Sequence, residues 1–327
     1  MTALGNEALV RRTRDLLGGR HPVVATATVS PSGTDIAIIG THRDADFEIG
    51  SISKGITGLL YVDAIARGEI TTSTTLGDLL PLQQASAAEV TLAAIATHRS
   101  GLPGLPASAR PLRRTVALWS KGTNPYSESL EQLIAQAREA RLKKPHSRYS
   151  NFGFELLGHA VARAAGTTYQ ELVLQRIAKP VGLDIFYTPG TPDQLRPGAI
   201  RGTSKSGRTR QPWTGEAIGP AGGIRASIDD MARLTAALLD GSVPGVAALD
   251  PVTRFGGQAV RIGAAWITLE HKGRLVTWHN GGTGGFRTWL GVDRAAGTGV
   301  VLMSATSASV DRHGFTLLKE LMTAHGG

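Results

Sequence analysis

Apolar and polar positions follow two different periods along this chain, and the period changes twice. Near the start, "VVATATV" (23–29) and "TDIAIIG" (34–40) are short runs rich in β-branched residues, separated by Ser30-Pro31-Ser32-Gly33. Such runs around a Pro/Ser/Gly cluster predict two strands joined by a hairpin turn. Residues 4–18 precede them with helical spacing that stops at Gly18-Gly19. Beyond them Ile52, Ile56, Leu59 and Leu60 fall at i, i+4, i+7 and i+8, which predicts a helix over 51–68.

From about 70 to 215 the pattern is helix and loop. Leu130, Leu133, Ile134 and Ala137 mark one helix; Phe152, Leu156 and Ala160 mark another that stops at Gly166. Thr168 and Glu171 form a capping box for the next. "GTSKSGRTRQP" (202–212) is polar and rich in Gly and Ser, as an exposed loop would be. Helical spacing returns at Ser227, with Met231, Leu234 and Leu238 on one face and Gly241 as the stop. Asp229-Asp230 then reads as a helix start rather than a carboxylate pair.

The period shortens again after 255. "AVRIGAAWITL" (259–269), "RLVTWH" (274–279), "FRTWLGV" (286–292) and "GVVLMSA" (299–305) predict four successive strands, followed by a helix carrying Phe315, Leu318 and Met322. Sequential strands with short links favour antiparallel pairing. The fold class expected is therefore α+β: an antiparallel sheet with flanking helices built from both termini (1–70 and 216–327), and an inserted, mostly helical domain (71–215). There is no internal repeat or low-complexity tract.

Composition narrows the chemistry. The chain has 327 residues, 41% of them hydrophobic and 19% charged, as in a globular protein with a substantial core. It has no cysteine, which removes disulfides, thiolate metal sites and a cysteine nucleophile. The net charge of +9 comes from scattered basic residues, densest at Arg110–Arg114, Arg138–Arg148 and Arg201–Arg210. With only 5% aromatics for base stacking, these read as solvated faces, and no nucleic-acid partner is expected. Nine histidines show no metal-ligand spacing, so neither metal nor cofactor is expected. No segment approaches the roughly 20 apolar residues of a membrane span. The N-terminus, interrupted by Arg11, Arg12 and Arg14, lacks a signal-peptide apolar region. The expectation is a cytoplasmic protein without a membrane partner; a removed leader is compatible with it, and oligomeric state is open.

Three short motifs carry candidate chemistry. Ser51 and Lys54 stand at i and i+3 on the first turn of the helix over 51–68, and Ser-x-x-Lys occurs nowhere else. A lysine with a lowered pKa beside a serine hydroxyl can accept its proton. The pair alone also fits a surface helix start. Tyr149-Ser150-Asn151 stands at a helix entry, where a phenol can relay a proton and an amide can hold a carbonyl; a turn with an N-cap fits it too. His279-Asn280-Gly281-Gly282 closes a strand and opens "GGTGGF". Its glycines would let a substrate lie along the strand edge, with the Gly282 N–H as an oxyanion donor. A Gly-rich hairpin is the plainer alternative.

Their order, and the blocks "FEIGSISKGITGLL", "LAAIATHRSGLPGLP", "YSNFGFELLGHAVARAAG", "AGGIRASIDDMARL" and "HNGGTGGF", resemble the serine β-lactamase and penicillin-binding-protein superfamily over about 23–305. Class A enzymes pair Ser-x-x-Lys with Ser-Asp-Asn and Lys-Thr-Gly; class C-like members use Tyr-x-Asn, as here. D-aminopeptidases, D-alanyl-D-alanine carboxypeptidases, esterases and acyltransferases are among the relatives. The resemblance implies a β-lactamase/transpeptidase-like fold and a serine hydrolase. Ser51 would form an acyl-enzyme with a small amide, peptide or ester, while Lys54 and Tyr149 move the proton. Asn151 would orient the acyl side chain and Lys54. His279, Asn280, Gly281 and Gly282 would bind substrate, with the N–H groups of Ser51 and Gly282 forming the oxyanion hole. A penicillin-binding or sensor-like protein that acylates with little turnover, or an acyltransferase, is the alternative.

The chain departs from the usual pattern at His279, where β-lactamases carry lysine. A group titrating near neutrality replaces a fixed cation, so activity is expected to rise through pH 6–7 if His279 serves the substrate. His98, in "THRSGLP", is expected to tie down a loop. Glu48 stands near the nucleophile helix without an assignable role.

Overall fold

The computed structural model of the chain describes residues 2–105, 122–257, 259–271 and 273–325. β1 (Ala3–Gly5), β2 (Val24–Ser30) and β3 (Gly33–Ile39) lie at the start. β4 (Phe47–Glu48), β5 (Phe186–Tyr187) and β6 (Arg225–Ala226) are two-residue strands of a separate small sheet. β7 (Thr253–Arg254), β8 (Val260–Ile262), β9 (Ile267–His271), β10 (Arg274–Gly282), β11 (Arg287–Asp293) and β12 (Thr298–Ser304) follow. The main sheet has nine strands in the order β1-β3-β2-β12-β11-β10-β9-β8-β7, with antiparallel neighbours throughout. β2 pairs with β12 along Val24–Val29 and Gly299–Ser304, which closes the two ends of the chain into one sheet.

The longer helices are α1 (Glu7–Leu17), α2 (Ile52–Ala66), α3 (Leu130–Arg138), α4 (Asn151–Ala164), α5 (Ile228–Asp240) and α6 (Asp311–His325). Side chains alternate across the central strands as the two-residue period requires. Val24, Trp289, Val300 and Leu302 face α1 and α6 and pack with Leu17, Leu317, Leu318 and Met322. Their neighbours Ala25, Ala27, Leu290, Val292, Val301 and Met303 face the other way, into the main core with Ile228, Met231 and Leu234 of α5. β12 is buried on both faces, which is why "GVVLMSA" is a continuous apolar run rather than an alternating one. Each aliphatic side chain so buried contributes roughly 1.5–3 kcal/mol.

The local signals behave as chemistry predicts. Pro31 and Ser32 are the central pair of the β2–β3 hairpin. Thr168 and Glu171 form their capping box. Ser227 caps α5 by accepting from the Asp230 N–H, and Gly241 ends it in the left-handed region at φ 80°. Asp230 also accepts from the N–H groups of Asp184 and Ile185, so it is a structural acceptor as well as a helix start.

Several boundaries differ from the sequence expectation. The helix expected over 4–18 begins only at Glu7, because Asn6 caps it and Ala3–Gly5 pairs with β3 instead. The single strand expected over 259–269 is two strands. Gly263, Ala264 and Ala265 turn away between them, and the N–H groups of Ala264 and Ala265 donate to the carbonyls of Ala248 and Ala96. In the polar segment 202–212, residues 205–209 are exposed as expected, while Thr203 bridges to Thr209 and to Thr306 and Ser204 is buried. Residues 106–121, which include the cluster Arg110–Arg114, lie outside the described residues. Among the described residues no helix is long and apolar enough to cross a membrane.

Candidate active site

β4 delivers the chain directly to the start of α2. Gly50, between them, has φ +54°. A Cβ there would also lie 2.6 Å from the Gly282 nitrogen, so both backbone and space demand glycine. Ser51 follows as the N-cap of α2, yet its side chain accepts no capping hydrogen bond. The hydroxyl is engaged elsewhere: Lys54 Nζ donates to Ser51 Oγ at 3.1 Å.

Lys54 is fully buried. Its Nζ also donates to the Ala221 carbonyl at 2.5 Å, in the short helix Gly219–Gly222, and stands 4.8 Å from the centre of the Tyr149 ring. Burial away from water lowers its pKa to about 7, against the opposing field of Glu155. An amine in that state exchanges its proton near neutrality.

Tyr149 precedes α4 and turns its hydroxyl onto Ser51, although the residue as a whole is 41% exposed. Desolvation of the hydroxyl end raises its pKa, partly offset by the bond to Ser51. Ser150 caps α4 by accepting from the Gly153 N–H. His98 lies against the Tyr149 ring, centroids 4.6 Å apart, and its Nδ1 accepts the Ser150 N–H at 3.3 Å. It therefore does tie down a loop, and the loop is the one that carries Tyr149. Burial, then the charge of Lys54, keep its imidazole neutral.

Asn151 enters the same site with a different partner from the expected one. Its amide nitrogen donates to the Tyr126 hydroxyl at 3.0 Å, and its buried Oδ1 has no partner among the described residues. The Lys54 hydrogen bonds run to Ser51 and Ala221, not to Asn151.

β10 continues through His279, Asn280, Gly281 and Gly282, where a Gly-rich turn was the alternative. Its pairing with β9 stops at Trp278. The Thr283 N–H donates to the Phe286 carbonyl, which sets the register of the β10–β11 ladder. By alternation, the N–H and C=O groups of Asn280 and Gly282 point away from β11 toward the edge that β9 leaves open. That edge lies beside Ser51, because Gly281 and Gly282 pack against Ile49 and Gly50. The side chain of Asn280 is a correction: it donates to Asp311 at 3.0 Å and is turned to α6, leaving only its backbone at the edge.

His279 is buried, and its Nδ1 lies 2.7 Å from the Asn280 carbonyl. A carbonyl only accepts, so Nδ1 carries the proton and Nε2 is a bare acceptor, unpartnered among the described residues. Desolvation, then Lys54, lowers the His279 pKa to about 4. In place of the titration expected at pH 6–7, burial favours a ring that is neutral in the physiological range. His279→Gln is accordingly expected to reduce kcat/KM while leaving the acid limb of its pH profile in place, as rates between pH 5 and 9 would reveal. A limb that vanished with the imidazole would assign that titration to His279.

Sequence reasoning passed over four contributors: Tyr126, Glu155, Trp213 and Ala221. Tyr126 and Trp213 pack edge to face, 4.7 Å between centroids, beside Asn151. Glu155 left a signal, a lone acid within the apolar run "FGFELLG". A cavity of about 880 Å³ is a different feature; His159, Tyr169 and Glu216 line it, and Ser51, Lys54 and Tyr149 do not.

A profile of the family described as Beta-lactamase matches residues 23–321. The chain belongs to the beta-lactamase family. It is 30% identical over 198 residues to the D-alanyl-D-alanine-carboxypeptidase/endopeptidase AmpH of Escherichia coli K12, covering 58% of this chain and 48% of that protein. The match thus spans about half of that relative's length. A class C beta-lactamase structure from Rhodobacter sphaeroides superposes with a TM-score of 0.76 at 20% identity, over 93% of this chain and 95% of that one. A beta-lactamase/D-alanine carboxypeptidase structure from Pseudomonas syringae gives 0.80 at 17% identity, over 98% and 99%. At those identities the structures establish the α+β fold.

Proposed function

We propose that this beta-lactamase-family chain is a serine hydrolase that forms an acyl-enzyme on Ser51 with a small amide, peptide or ester. One observation carries the reading: a buried amine, Lys54 Nζ, stands 3.1 Å from a serine hydroxyl that accepts no capping hydrogen bond, and burial supports it by lowering the pKa of the amine to about 7. In its neutral form Lys54 accepts the Ser51 proton as Oγ attacks the substrate carbonyl carbon. The oxyanion that forms is met by the N–H groups of Gly282 and Ser51. The proton passes through Tyr149 to the departing nitrogen or oxygen as the old bond breaks. Water then attacks the ester by the reverse route and frees the carboxylic acid. The exposed edge of β10 lies along the acyl donor.

The carboxypeptidase activity named for the E. coli and P. syringae proteins supports a peptide-like donor. His279 argues for an uncharged group near that strand. Its bare Nε2 is an acceptor and offers a carboxylate neither a proton nor a charge.

A fluorophosphonate or penicillin probe tests this. Intact-mass and peptide analysis are expected to place one adduct on Ser51, absent in Ser51→Ala. Labelling elsewhere, or none from several probe classes, would sink the proposal. Product release after the burst, with esters and D-amino-acid anilides, separates a hydrolase from a protein that acylates and stops.

A further inference from the structure

Basic residues are spread along this chain, but the acids that would balance them are missing from two stretches. Residues 90–127 hold five Lys or Arg and residues 140–154 hold four, with no Asp or Glu in either. These nine cations equal the whole net charge of +9. Set aside from the 35 basic residues, they leave 26 against 26 acidic ones in the rest of the chain.

The fold fastens the two stretches together beside Tyr149. The Lys143 N–H donates to the Gly101 carbonyl and the Arg148 N–H to the His98 carbonyl, each at 2.9 Å. Gly101, at φ +74°, lets the segments touch, because a Cβ there would lie 2.2 Å from the Lys143 carbonyl oxygen. Arg148 leads directly into Tyr149, and the His98 ring lies against the Tyr149 ring. Arg99, Arg141, Lys143, Lys144 and Arg148 are exposed along this seam. Arg99 donates to the Arg254 carbonyl at 3.0 Å, which brings in a sixth exposed cation. None of the six forms an ion pair among the described residues, whereas Arg11, Arg43, Arg233 and Arg294 elsewhere on the surface each meet a carboxylate. Residues 106–121 lie outside the described residues, and their sequence supplies no Asp or Glu to neutralise the seam. Like charges gathered this way repel one another and are relieved by a bound anion.

We infer that this basic rim recognises negative charge on the acyl donor, so that the substrate class is an anionic amide, peptide or ester whose charge stays outside the covalent site. The donor's fate rests on the Ser51 reading; anion binding by the rim does not. The charge is met on the Tyr149 side of the site, away from β10, where His279 offers only a bare acceptor. A carboxylate or a phosphate on the donor serves alike. Because the six cations are exposed, the attraction acts on capture: it raises kcat/KM, and salt screens it. A nucleic acid fits less well, since Tyr149 is the one exposed aromatic side chain among the described residues and bases need rings to stack on.

Two matched donors test it: the mono-p-nitrophenyl ester of suberic acid, which keeps a free carboxylate, and its methyl ester, which does not. The ratio of their kcat/KM values cancels the amount of active protein. In the native protein at low salt the ratio is expected to be about ten, the lower end of electrostatic steering. It should fall toward one near 1 M salt, where the screening length is about 3 Å. The triple variant Arg141→Gln/Lys143→Gln/Lys144→Gln should bring the ratio toward one at low salt. Arg11→Gln/Arg20→Gln/Lys319→Gln, which removes the same charge from the side of the sheet that α1 and α6 cover, should not. A ratio near one in the native protein at low salt, or an equal fall in both variants, would overturn the inference. Should the rim variant not fold, a ratio indifferent to salt in the native protein would do the same. Isothermal titration of Ser51→Ala with inorganic tripolyphosphate reads the rim without catalysis. Adding the three rim substitutions should weaken binding about tenfold, as three surface charge contacts would, and no weakening would count against the rim equally. Capture of duplex DNA or phosphatidylglycerol vesicles through the same three residues, with an ester ratio of one, would replace the anionic donor by a polymer or a lipid surface. Normal tripolyphosphate binding in a protein that consumes neither ester and is labelled by no acyl donor would remove the Ser51 reading and leave the anion-binding rim standing.

Discussion

Lys54→Met is expected to slow acylation of Ser51 by about 10⁴-fold, the upper end of what a positioned general base contributes. Methionine matches the volume and apolar surroundings of a fully buried side chain, so the loss reports the amine and not the packing. The serine keeps its place at the helix start but loses the group 3.1 Å away that is proposed to take its proton. The pH dependence fixes the sign. Burial lowers the Lys54 pKa to about 7, so the ammonium form dominates below that pH and cannot accept a proton. The wild-type acylation rate should therefore climb as pH rises through 7, and the slow residual rate of the variant should show no such limb. Time-resolved mass spectrometry of probe labelling between pH 5 and 9 measures both. A loss of less than tenfold, or an unchanged limb in the variant, would remove Lys54 as the base.

Arg225→Met should produce the largest loss of stability, about 3–5 kcal/mol, as expected when one partner of a buried ion cluster is deleted. Arg225 is fully buried in β6. Its guanidinium donates to Asp46 at 3.1 Å, to Glu48 at 3.0 Å and to the carbonyls of Asp46 and Ile200. Burial by itself raises the pKa of both carboxyls. At Asp46 the Arg225 and Tyr187 contacts more than reverse that, and the net shift is downward. At Glu48 burial prevails over the Arg225 charge and the hydrogen bonds from Thr283 and Trp213, and the net shift is upward. Methionine would leave the Asp46 charge buried without its counter-charge, and would leave the Ile200 carbonyl without its Arg225 donor. Glu48 thus acquires the role that sequence reasoning left open. With Arg225 it anchors β4, two residues before Gly50 and three before Ser51. Urea denaturation monitored at constant slope measures the loss. Arg43→Met is the control. Its pair with Asp229 has the arginine side chain 68% exposed, so it should cost less than about 1 kcal/mol. Equal effects from the two substitutions would mean that the buried cluster contributes no more than a surface pair.

Much of this protein is local in origin and was therefore legible before any coordinates. Hydrophobic period marked β2, β3, β11, β12 and the long helices, because burying one face of a regular element forces apolar residues into that element's repeat. Capping chemistry marked the starts of α5 and of the helix after Thr168 for the same reason: the cap acts within four residues. The Ser-x-x-Lys pair was readable because both members stand on one helical turn.

Other features are decided by contacts across the chain, and no local window contains them. The strands of the small sheet are two residues long, too short for any period, and exist because Arg225 ties β6 to β4. The break at Gly263–Ala265 is set by the carbonyls of Ala96 and Ala248, and the open edge of β10 by the point where β9 stops pairing. The charge states of the site were hidden most deeply. By residue type His279 is a group titrating near neutrality and Lys54 an amine whose pKa burial can lower, but the pKa depends on how much water and how many charges surround the group. Residue identity determined which groups can carry protons here. Only the packing of α2, α4 and β10 around them decided that the imidazole stays neutral and the lysine exchanges near pH 7.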